Sequence, residues 1–200
     1  RYVGAAPFGT PEAAASIAAQ AAFGRMTGLR SILSWHPDPE HGRDPAWRRD
    51  VALLQEHGLN LELMIYPQQA DIVVEIARAL PGLRIIINHC GSPIDRDAPG
   101  MQRWRESIEG IAACPNVAIK ISNPGAYDHN WTLASVRDVA MHCIGCFGAD
   151  RAMFGTDHPV AKIQMSYDQI YDTFKAIAAP LPPADQAKLF HDTARRLYRL

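Results

Sequence analysis

Two imidazoles and one carboxylate stand directly behind short apolar runs in this sequence: His36, His89 and Asp157. Around them, at equivalent places, come Trp35, Tyr66-Pro67-Gln68, Cys90-Gly91, Ser122-Asn123 and His158. In parallel α/β architectures chemistry gathers at the C-terminal ends of the strands. Groups leaving several such strands therefore converge on one mouth, where they can hold a metal or move protons for an attacking water. Each residue also has a plainer reading. His89 equally suits an interior histidine bonded to a backbone carbonyl, and Asp157 a turn acid before Pro159. His36 lies in a Pro/Asp-rich loop and suits a solvated turn histidine. Lys120, inside Ala118-Ile119-Lys120-Ile121, either points into the interior or snorkels at its rim.

The apolar runs that carry these groups are Tyr2–Ala5, Leu29–Leu33, Leu61–Tyr66, Leu83–Asn88, Val117–Ile121 and Ala152–Phe154. Their starts are separated by 27, 32, 22, 34 and 35 residues, close to the ~30 residues of one βα unit. Leu83–Ile87 shows no polar alternation, which predicts a strand buried on both faces and hence a parallel sheet. Helices are expected between the runs. Thr10-Pro11-Glu12 predicts an N-cap with proline in the first turn, and Asp44-Pro45 the same before Ala46–His57. Val136, Val139, Ala140, Cys143, Ile144 and Phe147 form one apolar stripe, and Tyr167, Ile170, Tyr171, Phe174, Ile177 and Ala178 another. A last helix over about 184–198 is expected to turn Ala187, Phe190, Ala194 and Leu197 to the core. Cys143-Ile144-Gly145-Cys146 has zinc-ribbon spacing but lies in a helical stripe without a second pair, so both cysteines are read as core residues. The long polar and aromatic loop Asn123–Trp131, which contains Tyr127, is read as a substrate-binding loop.

Six βα repeats fit either an open doubly wound sheet or most of a (β/α)₈ barrel. No Gly-x-Gly-x-x-Gly follows a strand, which favours the barrel over a dinucleotide-binding sheet. A net charge of −1 from 20 basic and 21 acidic residues gives no basic surface for a nucleic acid. No apolar run approaches the ~20 residues of a membrane helix. Four cysteines in 200 residues are too sparse for a disulfide scaffold, which points to a reducing, cytoplasmic setting. The sequence begins at Arg1, so the natural N-terminus is expected to lie upstream and a signal peptide is not addressed.

Five segments resemble one family. Asn88-His89-Cys90-Gly91-Ser92-Pro93 is similar to the His-x-Gly-x-Pro segment of amidohydrolase-related proteins. Pro115-Asn116-Val117-Ala118-Ile119-Lys120-Ile121-Ser122 resembles their Pro-Asn-Val-x-x-Lys-x-Ser strand, and Arg151–Pro159 their Arg-x-x-Phe-Gly-Ser/Thr-Asp-x-Pro strand. Gly28-Leu29-Arg30 and Thr193–Tyr198 match a Gly-x-Arg strand and an Asn-Ala-x-x-Leu-Tyr close. Within the family, the sugar-acid and pyrone-dicarboxylate lactonases are the nearest branch. The resemblance implies one barrel domain over residues 1–200, an α/β (β/α)₈ TIM barrel with its first two βα units, and the family's first-strand His-x-His, missing from the chain.

It further implies a hydrolase that opens a lactone or related cyclic ester. Asp157 would take a proton from the attacking water. His89 would polarise the carbonyl oxygen, directly or through one divalent metal, zinc or manganese, held by His89 and Asp157. Arg30 would pair with a substrate carboxylate, and His36, Tyr66, Asn123, Tyr127 and His158 would line the substrate. Two departures bear on this. Tyr66-Pro67-Gln68 carries no histidine where metal-dependent relatives often have a ligand, so weak or no metal is expected. Asp-His-Pro also replaces the more common Asp-Trp-Pro. The alternatives are a metal-dependent decarboxylase of the same superfamily and a non-catalytic, incomplete barrel. Unpaired strand edges lead to the expectation that residues 1–200 alone associate, as a homo-oligomer or aggregate.

Overall fold

β-branched and leucine-rich runs form six strands, and helices following each strand bury one face of the sheet they make. In the computed structural model, which describes residues 1–200, these are β1 (Tyr2–Ala5), β2 (Met26–Ile32), β3 (Asn60–Met64), β4 (Ile85–Ile87), β5 (Val117–Ser122) and β6 (Ala152–Gly155). The helices are α1 (Ala13–Ala21), α2 (Pro45–Glu56), α3 (Ala70–Ala79), α4 (Ala98–Ala112), α5 (Leu133–Phe147), α6 (Tyr167–Ala178), α7 (Pro183–Ala187) and α8 (Thr193–Tyr198). The strands lie in the order 1-2-3-4-5-6 and every neighbouring pair is parallel. A doubly wound sheet reverses its strand order at a switch point. This one does not, and its order is that of a (β/α)₈ barrel, of whose eight strands it holds six.

Side chains alternate across the strands. Leu29, Leu61, Leu63, Ile85, Ile87, Val117, Ile119 and Ile121 join the helix side chains in the main apolar core, with Trp47 and Trp104 fully buried among them. The opposite, concave face holds a small cluster of Ile86, Ala118, Met153 and Leu197, and three charged residues described below. Every residue of β3 and β4 is buried, as the absence of polar alternation in β4 predicts.

Asp44 caps α2 as expected, its carboxylate accepting from the Ala46 and Trp47 amides at 2.8 and 2.9 Å. Thr10 does not cap α1. Pro11 and Glu12 spend one turn before the helix, which starts at Ala13, and the Thr10 hydroxyl is buried without a partner. The final helix is also not regular. A π-helical turn at Lys188–Asp192 separates α7 from α8. The extra residue rotates the face, so that Leu189 is fully buried, while Phe190 still packs on Phe154 with ring centroids 4.8 Å apart.

Asn116, entering β5, donates its amide to the carbonyls of Ala77, Leu80 and Leu83 at 3.1, 3.1 and 3.0 Å. One side chain thus satisfies the end of α3 and the approach to β4. Asn116→Ala is expected to destabilise the fold by about 1–3 kcal/mol. Thermal melting followed by circular dichroism should show a drop of about 2–4 °C per kcal/mol. An unchanged midpoint would contradict this role.

Candidate active site

Directly after β4, β5 and β6 the backbone enters the left-handed region at residues other than glycine. φ is 52° at His89, 50° at Asn123 and 55° at Asp157, with Cys90 and Ser92 at 55° and 54°. Such conformations cost about 1–3 kcal/mol each, less for Asn, and persist where the surroundings over-determine them. Here they bring three side chains from three strand ends together. Asn123 Nδ2 donates to Asp157 Oδ2 at 2.8 Å. The same oxygen lies 3.9 Å from His89 Nε2, and His89 Nδ1 lies 2.8 Å from Ser122 Oγ.

Burial pulls the His89 pKa below its ordinary value. The Asp157 charge opposes this, while Arg30 and Lys120 add to it. The imidazole is therefore neutral at pH 7. In the tautomer that donates Nδ1–H to Ser122 Oγ, Nε2 presents a lone pair toward a carboxylate oxygen. At 3.9 Å the two do not hydrogen-bond, and in that tautomer two acceptors face each other with room for a proton donor or a cation between them. Asn123 Oδ1 is buried without a partner, a further acceptor at the same spot. His89 and Asp157 are thus two donors fit for a divalent metal. A zinc centre takes three or four protein ligands, and no third His, Cys, Asp or Glu in this chain clusters with them.

Tyr127 folds inward from the β5–α5 loop, its hydroxyl 3.1 Å from Ser92 Oγ. Burial pushes its pKa up, Ser92 pulls it down, and the nearby Tyr66 and Asp157 push it up further. A narrow cleft of about 20 Å³ lies under this loop, lined among others by His89, Asn123, Tyr127, Arg96 and Asp128. Arg96 and Asp128 close one side of it, Nη2 to Oδ2 at 3.4 Å.

Toward the barrel interior, Glu62 of β3 is fully buried. Its Oε2 accepts from Arg30 Nη2 and Nε at 2.7 and 3.1 Å, and its Oε1 from Lys120 Nζ at 2.6 Å and the Tyr198 hydroxyl at 2.5 Å. Burial alone would raise the Glu62 pKa. Lys120, Tyr198 and Arg30 outweigh it and hold the carboxyl at about 2. Lys120 therefore points inward rather than snorkelling, with its ammonium 5.1 Å over the Tyr198 ring.

Among the residues singled out from the sequence, His89, Asn123 and Asp157 meet, with Tyr127 beside them and Tyr66 near Tyr127. His89 binds a serine hydroxyl rather than a backbone carbonyl. Arg30 reaches the electrostatic surroundings of His89, but its fork is engaged by Glu62. His36 stacks on His41 at 3.7 Å and closes a turn at Asp38. His158 is exposed and packs edge-on against Tyr167. Cys143 is a core residue and no cysteine is paired. Glu62 escaped the sequence reading. Its signal is a lone acid in the apolar run Leu61–Tyr66, in register with Arg30.

The amidohydrolase family model matches residues 1–200. An uncharacterized protein of Sinorhizobium fredii, y4mH, is 35% identical over 99% of this chain and 69% of its own length. An L-fucono-1,5-lactonase of Burkholderia multivorans is 27% identical over 88% of this chain and 64% of its own. The chain thus spans about two thirds of the length of these relatives. The crystal structure of a B. multivorans amidohydrolase with bound zinc superposes with a TM-score of 0.87 at 25% identity, over 99% of this chain and 72% of that one. A whole-chain family match, strands in barrel order and a His–Asp pair at the strand ends agree: this chain belongs to the amidohydrolase family and is a lactonase-like member of it.

Proposed function

We propose that this chain carries the hydrolytic half-site of a lactonase, opening a small cyclic ester by attack of water on its carbonyl. The observation that supports this most is the meeting of the Asp157 carboxylate, the neutral His89 imidazole and the Asn123 amide at three left-handed strand ends. Asp157, oriented by Asn123 Nδ2, takes a proton from water. That water lies between Oδ2 and Nε2, where the 3.9 Å separation leaves room for a donor. Asn123 Oδ1 accepts from a substrate hydroxyl. His89, fixed by Ser122, accepts from the same water through Nε2 and orients it; where a divalent cation is bound, His89 and Asp157 would hold it together. Such a cation would supply Lewis-acid polarisation of the carbonyl. Tyr127 forms the wall against which the ring lies, and the L-fucono-1,5-lactonase relative makes a sugar-acid lactone the first substrate to try.

The test is initial-rate hydrolysis of a panel of sugar-acid and dicarboxylate lactones. At least one should be opened with saturable kinetics, and a panel left at the uncatalysed rate by folded protein would overturn the reading. On the best substrate, Tyr127→Phe is expected to raise KM several-fold with kcat little changed, because its hydroxyl contacts bound substrate rather than the reacting atoms. An equal fall in kcat would place the hydroxyl in the chemistry instead.

A further inference from the structure

At the other end of the barrel, three groups of different chemistry meet on the outer surface between α4 and α5. They are Glu109 on α4 and His142 and Cys146 on α5, whose donor atoms all lie within 4.8 Å of one another. Helices run antiparallel to the strands they follow, so the C-terminal parts of α4 and α5 sit beside the strand starts, away from the candidate active site. His142 and Cys146 are four residues apart on one helix, hence one above the other on a single face. Cys146 Sγ lies 3.6 Å from His142 Nε2, and Glu109 Oε1 lies 4.0 Å from the same nitrogen.

We propose that Glu109, His142 and Cys146 form a site for one thiophilic divalent cation of the zinc or cadmium class, joining α4 to α5. Zn–S of about 2.3 Å and Zn–N of about 2.0 Å at a tetrahedral angle place sulfur and nitrogen about 3.5 Å apart. The observed 3.6 Å therefore needs almost no movement. Glu109 is the one ligand that must close in, and its side chain is 62% exposed and free to do so. Charge balances as well: the Cys146 thiol releases its proton to solvent, so thiolate and carboxylate together offset the cation while His142 coordinates as the neutral imidazole.

The surroundings orient the ligands. The Trp104 indole packs against the His142 ring with centroids 5.1 Å apart and is itself fixed by donating to the Cys90 carbonyl at 2.7 Å. Arg105, whose guanidinium lies over the Trp104 ring, is engaged by Asp138 at 2.7 Å. Its carbonyl lies 3.3 Å from His142 Nε2 and accepts a hydrogen bond from it in the Nε2–H tautomer. Binding thus requires the Nδ1–H tautomer. Three protein ligands leave one coordination position for water, which makes this an accessible, exchangeable site rather than a closed structural one. The Cys-x-x-Cys spacing at 143–146 hides this arrangement, because Cys143 faces the core and the true partner of Cys146 is the histidine one turn earlier.

The experiment is titration of the protein with cadmium, read by the thiolate-to-cadmium charge-transfer absorbance, and with zinc in competition with a chromophoric chelator. Wild type should show one charge-transfer site per chain. Cys146→Ser should abolish the band, and Glu109→Gln, at an exposed position that leaves the fold intact, should keep the band but weaken binding at least about tenfold. His89→Asn should leave the band unchanged, which separates this site from any metal bound at the strand ends. No band in wild type, or one that survives Cys146→Ser, would overturn the proposal, as would Glu109→Gln binding with unchanged affinity.

Discussion

Asp157→Asn is expected to lower kcat/KM for lactone opening by about 10²–10⁴-fold, toward the upper end, with the fold intact. The side chain is nearly isosteric and keeps a carbonyl oxygen to accept from Asn123 Nδ2, so the contact at 2.8 Å survives. The new amide cannot take a proton from water near neutral pH, and the base is lost while the geometry around it stays. His89→Asn should cost less if the imidazole only orients the water, and about as much if it holds a cation the reaction needs. Circular dichroism and melting midpoints would accompany the rates. If Asp157→Asn kept more than about a tenth of wild-type activity, a loss below that range, Asp157 would not be the base.

The second large effect is on stability. Glu62 is fully buried with two cations and a phenol on its two oxygens, and its pKa falls from an ordinary 4.5 to about 2. The folded state therefore binds this proton less readily than the unfolded chain does. The stabilisation is fully present above about pH 4.5 and is lost as the pH falls toward 2. A depression of this size corresponds to about 3 kcal/mol. Burial keeps the Lys120 pKa below its ordinary value despite Glu62, so the lysine bears a desolvation cost that only the pair offsets. Glu62→Gln leaves Arg30 and Lys120 without their counter-charge and should destabilise by about 3–5 kcal/mol. Its acid limb should also be shallower than that of wild type between pH 4.5 and 2. Chemical denaturation across that range would read both, and equal stability with parallel pH curves would contradict the role of Glu62.

The sheet was legible in the sequence because its signal is local. β-branched runs at βα spacing predict six strands, and all six form within a few residues of the expected bounds. Which groups stand at the strand ends was legible for the same reason, since a residue following a strand must emerge at the mouth. Contacts across the barrel were not. That Arg30 meets Glu62 depends on the register of β2 against β3, and that Tyr198 reaches Glu62 depends on where a helix 136 residues later returns. The π-helical turn before α8 is likewise invisible to a 3.6-residue periodicity, and it decides that Leu189 is buried. His36 shows the limit of the strand-end argument. It follows β2 as His89 follows β4, but its loop folds it onto His41.

Opening of a sugar-acid lactone in water enriched in oxygen-18, with mass spectrometry of the product, tests the central claim most directly. Water activated by Asp157 attacks the acyl carbon, so the label should appear in the product carboxylate. The enzymatic rate of label uptake should fall in Asp157→Asn in step with lactone consumption. Label in the ring-derived hydroxyl, or uptake that is equally fast in Asp157→Asn, would contradict the account.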